Sequence, residues 1–155
     1  MPKNKEVRVS CENRKSADGF GKQPLYKENP QSYKSKNPSW SFSRLDDDYR
    51  WGIKKIDVYN DLITKLKSFE GLTWQEIESS SGGKKAGHGS MNHFEPVTDL
   101  SKEAQKRWEQ LKLYDYDEVF SIRLQNQERL YGILEDGVFR IVWYDPKHEI
   151  YPTKK

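Results

Sequence analysis

A single cysteine, Cys11, among 155 residues excludes an internal disulfide and any multi-cysteine zinc site. No stretch approaches the ~20 consecutive apolar residues of a membrane span. The opening MPKNKEVRVSCENRKS holds no apolar segment of secretory type, so a cytoplasmic protein is expected. No Gly-x-Ser-x-Gly pattern occurs. Gly82-Gly83-Lys84-Lys85 lacks the leading Gly, the strand and the Ser/Thr of a phosphate-binding loop. Apolar residues are scarce, at 34% against 33% charged, so a core must be built from large side chains. Five Trp, nine Tyr and six Phe supply them. The length suits one domain.

The net charge of +3 is unevenly placed: residues 1–36 carry +5 and residues 37–155 carry −2. Segment 1–36 has few aliphatic residues and no sustained period, and cannot bury enough surface to offset its ordering entropy. It reads as a basic, disordered tail before a single α+β domain at 37–155. Both a passive solubilising role and a nucleic-acid- or partner-binding role remain open for it.

Trp40 and Phe42 alternate with small polar residues in Ser39–Leu45, which predicts a strand. Asp46-Asp47-Asp48 then turns the chain, and 49–53 returns as a second strand. Three consecutive carboxylates cannot all point at one ion, so the trio reads as a turn rather than a metal site. From Asp57 the period becomes helical, with Val58, Tyr59, Leu62, Ile63, Leu66 and Phe69 on one stripe and Gly71 as the stop. Thr73 and Glu76 form a capping box for the next helix. Segment 79–99 has no usable period and reads as a long loop. Ser101 caps a short helix carrying Ala104, Trp108 and Leu111.

Three strands follow, at 118–124, 129–134 and 138–144. Asp136-Gly137 joins the last two as a type I′ turn, which needs positive φ at both positions. With that turn, residues whose numbers sum to 273 face one another: Leu134 with Phe139, Gly132 with Ile141, Leu130 with Trp143. This set, continued by Phe120, Ile122 and Leu124, is the expected core. The other face is expected to meet water, with Arg123, Arg129 and Arg140 interleaved with Tyr131 and Tyr144. Arginine binds phosphate bidentately and tyrosine offers a stacking plane, so that face is a candidate RNA-binding surface. A solvated sheet face with cross-strand packing is the alternative. Beyond the Asp145-Pro146 turn, Lys147, His148 and Tyr151 come back towards the sheet. Cleaving RNA without a metal needs a base for the 2′-hydroxyl, an acid for the 5′-oxygen and cations around phosphorus. Lys, Arg, Tyr and His are suitable groups.

The order strand, helices, then a three-stranded antiparallel run resembles the RelE/ParE toxin superfamily. The matching stretches are Ile122-Arg123-Leu124, Glu128-Arg129-Leu130-Tyr131, Val138 to Val142 and His148-Glu149-Ile150-Tyr151. The resemblance implies a RelE-like fold, an antiparallel sheet packed on one to three helices. It also implies endoribonuclease activity on messenger RNA, free or ribosome-bound, and an antitoxin protein as partner. His148, Tyr151, Arg129 and Arg123 are then the catalytic candidates. Arg140, Tyr131, Tyr144, Lys147, Lys84 and Lys85 are the RNA-binding ones. The sequence departs from that pattern in a short His-to-Tyr spacing, the 79–99 insertion and the basic tail. ParE-like relatives keep the fold without ribonuclease activity, so fold does not decide function.

Neither a metal nor a cofactor is expected. His88 and His93 in the glycine-rich segment lack a third ligand of obvious spacing, although they could belong to a catalytic loop over the sheet. Cys11 has no base beside it. The competing function is a non-catalytic nucleic-acid- or protein-binding accessory module of a phage or mobile element.

Overall fold

The Asp136-Gly137 turn forms as the sequence requires, with φ of +51° and +81°. It is the pivot of a five-stranded sheet seen in a computed structural model that describes residues 32–54, 56–80 and 91–152. The strands are β1 (Ser39–Ser41), β2 (Asn92–Pro96), β3 (Glu118–Arg123), β4 (Arg129–Glu135) and β5 (Val138–Asp145), in the order β1-β5-β4-β3-β2. The sheet is mixed rather than antiparallel throughout, because β1 runs parallel to β5 while the other pairs are antiparallel. The helices are α1 (Thr64–Phe69), α2 (Trp74–Ser79) and α3 (Lys102–Gln110). The fold is α+β, as expected. Among the described residues no helix is long and apolar enough to cross a membrane.

Local signals were obeyed where side chains bond their own backbone. Thr73 and Glu76 form the capping box of α2, and Ser101 Oγ accepts the Ala104 amide at the start of α3. Asp57 caps the helical stripe, but its first six residues, Val58–Ile63, are π-helical before α1 takes over. Residues 49–53 form turns and no strand. Segment 79–99 is not all loop: it contains β2, an edge strand, and a 3-10 turn at Val97–Asp99.

The β4–β5 register is the expected one near the turn, with Leu134 opposite Phe139 and Gly132 opposite Ile141. It then slips by one residue between Tyr131 and Gly132, so Leu130 faces Tyr144 and Tyr131 faces Trp143. The extra residue on β5 is Val142, the signature of a β-bulge. Because side chains alternate, the bulge moves Trp143 to the face that Arg140 and Ile133 occupy. The expectation that Trp143 and Arg140 lie on opposite faces is therefore wrong, although Trp143 is fully buried.

That correction carries a larger one. Both faces of the sheet are covered. On one, α1 and α2 bring Leu66, Phe69, Trp74 and Ile77 against Phe120, Ile122, Leu130, Phe139 and Ile141. On the other, α3 and flanking segments bring Trp51, Leu100, Ala104, Trp108, Leu113 and Ile150 against Val119, Tyr131, Ile133, Val142 and Trp143. Trp51, Trp108 and Trp143 meet edge to face at 5.3 and 5.5 Å. Asp46 lies beneath this second layer. Its carboxylate accepts from Trp143 Nε1 at 2.9 Å and from both nitrogens of an Arg107 fork at 2.8 and 2.5 Å. Burial pushes the Asp46 carboxyl up, yet the bonds from Arg107 and Trp143 leave it below the usual range.

The expected tail at 1–36 lies outside the described residues as far as Gln31, and so does Cys11. Its last residues belong to the fold. Tyr33 donates to Glu78 at 2.6 Å, and the Lys36 carbonyl accepts the Trp74 amide at 2.9 Å.

Candidate anion-binding and acid–base site

Strand register decides which polar side chains meet. Pairing puts Arg123 opposite Arg129, and Arg129 opposite Asp145. In the next row, His93, Ser121, Tyr131 and Trp143 lie side by side across β2, β3, β4 and β5. These rows share the face covered by α3, where Tyr131 and Trp143 are buried and Arg123 and Arg129 only half-buried. Diagonal neighbours on such a face have separations of about 7–8 Å, within reach of an arginine side chain.

The two guanidinium groups are half-buried and adjacent, yet neither has a carboxylate within 4.0 Å among the described residues. Arg129 Nη1 donates to the Asn126 and Glu128 carbonyls, each at 3.0 Å. These come from the tight turn after β3, where Asn126 takes a φ of +42°. Arg123 Nη1 reaches Met91 Sδ at 3.5 Å. Burial, and then the Arg123 charge, hold Arg129 below its ordinary pKa. An anion would relieve both effects.

Beside the arginines, β2 presents His93 and Glu95 on the same face, two residues apart. His93 Nε2 bonds Glu95 Oε1; the imidazole side chain is 45% exposed and the carboxylate 11%. A carboxylate partner requires a proton on Nε2, which leaves Nδ1 as the basic nitrogen. Nδ1 has no hydrogen-bond partner among the described residues. The charge of Glu95, and then burial, raise the Tyr151 pKa. Tyr131, paired with Ser121 across β3 and β4, is raised by burial first and then by the Asp145 charge. Both tyrosines are therefore held as phenols. Asp145 anchors the returning C-terminal turn through the amides of Lys147 and Ile150 at 3.2 and 2.7 Å.

Of the four expected catalytic residues, Arg123 and Arg129 face each other, and Tyr151 feels the charge of Glu95, which bonds His93 in the next row. His148 stands apart. It sits at φ +59° in the turn, half-buried, and its side chain makes no hydrogen bond or ion pair among the described residues. The expected RNA-binding residues do not form one surface. Tyr131 is 1% exposed under α3. Tyr144, put on the opposite face by the bulge, donates to Glu128 at 2.9 Å. Arg140 pairs with Glu135 at 2.5 Å, opposite Ile133 and ~13 Å along the strand from Arg129. Lys147 is exposed on the turn. Lys84, Lys85 and His88 lie outside the described residues.

The sequence reading missed Glu95 and Ser121, and gave His93 only a secondary place. Their signal was the alternation in Asn92-His93-Phe94-Glu95, masked by the glycine-rich stretch before it. Among the described residues no three His, Cys, Asp or Glu side chains are grouped to hold a metal. No protein-family model, curated protein or solved structure matches the chain.

Proposed function

We propose that the protein is a toxin-type endoribonuclease of RelE-like character that cleaves messenger RNA without a metal ion. The observation that supports this reading is the pair Arg123–Arg129, half-buried and with no carboxylate within 4.0 Å among the described residues, beside an accessible imidazole held by a buried carboxylate. The arginines take the phosphodiester oxygens, and the charge growing on them as phosphorus becomes five-coordinate strengthens both contacts. His93 Nδ1 takes the proton of the 2′-hydroxyl. The 2′-oxygen forms its bond to phosphorus as the bond to the 5′-oxygen breaks; that oxygen takes a proton from water at the open sheet edge, and the hydroxide left takes back the proton held on His93. The products are a 2′,3′-cyclic phosphate and a 5′-hydroxyl. Glu95 fixes the tautomer of His93 and steadies the imidazolium. The ribosome and an antitoxin protein are the partners this reading brings with it.

A non-catalytic nucleic-acid-binding module is the second reading. It keeps the arginine pair, and the isolation of His148 favours it. The test incubates the full chain with messenger RNA, with and without ribosomes and with chelator throughout, and analyses the new ends. Cyclic phosphate ends made by the wild type and lost in Arg129→Gln are expected. RNA bound but left intact would select the binding module. RNA neither bound nor cut would remove both readings.

A further inference from the structure

Five residues along β3 from Arg123, ~17 Å away, the surface changes sign. The chain leaves α3 at Lys112, with φ +59°, and returns to β3 through a rigid stretch: Tyr116 N–H donates to the Leu113 carbonyl at 3.0 Å and Val97 N–H to that of Asp117 at 2.8 Å. Two grooves flank this stretch. One, of about 490 Å³, runs between Trp108, Tyr114 and Tyr116, with Glu109, Asp117 and Glu118 around it. The other, of about 500 Å³, lies over Phe94 and Leu134 and adds Asp115 and Glu135. They share Tyr116, Asp117 and Glu118, and neither lining contains a lysine or arginine.

Glu135 is neutralised by Arg140. Glu109, Asp115, Asp117 and Glu118 are exposed and have no ion-pair partner among the described residues, and Tyr114 is 66% exposed. Aromatic faces beside unpaired carboxylates are the chemistry that holds guanidinium and ammonium groups. The sign repels nucleic acid and anionic lipid. Several carboxylates spread over two joined grooves exceed what one small cation can satisfy, whereas an extended chain offers same-side side chains about 7 Å apart.

We propose that this double groove docks an extended, arginine- or lysine-bearing segment of a partner protein, with the cations on Asp117, Glu118 and Glu109 and the apolar side chains on Tyr114 and Tyr116. This goes beyond the RNA reading and does not depend on it.

The test is fluorescence anisotropy of the full chain with a labelled ten-residue peptide of alternating arginine and leucine. A peptide with glutamate in place of arginine is the control, and arginine amide the competitor. Binding of the arginine peptide is expected, weakened about tenfold or more by Asp117→Asn/Glu118→Gln and severalfold by Tyr114→Ser. Both variants alter exposed positions and should keep the wild-type melting curve. Four results would overturn the proposal: no binding at millimolar concentration, equal binding of the glutamate peptide, wild-type affinity in both variants, or arginine amide binding as tightly as the peptide.

Discussion

Removing the Asp46 carboxylate tests whether the α3 layer is held on the sheet as described. In Asp46→Ala, Trp143 Nε1 loses its acceptor in a fully buried setting, which costs about 1–3 kcal/mol. Arg107 loses its bidentate partner, but its side chain is 22% exposed and can reach water. The unpaired cation therefore adds less than the roughly 3–5 kcal/mol typical of a broken buried pair. A total of about 3 kcal/mol follows, or a drop of about 10 °C in melting temperature for a domain of this size. The sign of the pH dependence is also set. The folded-state pKa is depressed, so the contribution is complete above the unfolded carboxylate value near 4 and is lost as pH falls through the folded one. Urea unfolding of wild type and variant across the acid range measures both. Asp48→Ala is the control, since that side chain is 95% exposed and 3.8 Å from Lys54, and it should change nothing measurable. An Asp46→Ala protein within about 0.5 kcal/mol of wild type, or one with the same acid limb, would refute the reasoning.

Burial raises the pKa of Tyr33, Tyr131 and Tyr144 above the ordinary phenol value. Their contribution is complete below about pH 10 and is lost as pH rises through the folded values; stability should fall above about pH 10, less steeply in Tyr131→Phe. Constant stability to about pH 11 would contradict this. A Cβ at Gly132 would lie 2.2 Å from the Arg140 carbonyl oxygen and 2.9 Å from the Phe139 ring. Gly132→Ala should therefore cost about 3 kcal/mol in the same unfolding assay, and a neutral outcome would mean the backbone at the bulge is not this close.

The parts of the fold legible in the sequence were those with short-range causes. Asp136-Gly137 can hardly do anything but turn, and the Thr73–Glu76 pair needs only its own backbone. The bulge at Val142 has no such local mark, since a bulge of this kind tolerates ordinary residues. One inserted residue reversed the faces of Trp143 and Tyr144. A clue was nevertheless present: Ile141-Val142-Trp143-Tyr144 is a continuous apolar run, the pattern of a strand buried on both faces. Read that way, the expected RNA surface would have been recognised as a second core. The arginine pair was found because cross-strand pairing survives on β3 and β4, where no bulge intervenes. His93 and Glu95 were underrated because a five-residue edge strand beside glycines gives a weak periodic signal.

The central claim is that His93, held by Glu95, takes the proton that starts phosphodiester cleavage beside Arg123 and Arg129. Its most direct test is the single-turnover rate of messenger RNA cleavage by wild type and His93→Ala, in chelator, with RNA affinity measured alongside. A loss of about 10²–10⁴ in rate with affinity nearly unchanged is expected. Wild-type cleavage by His93→Ala, or loss in His148→Ala instead, would contradict it.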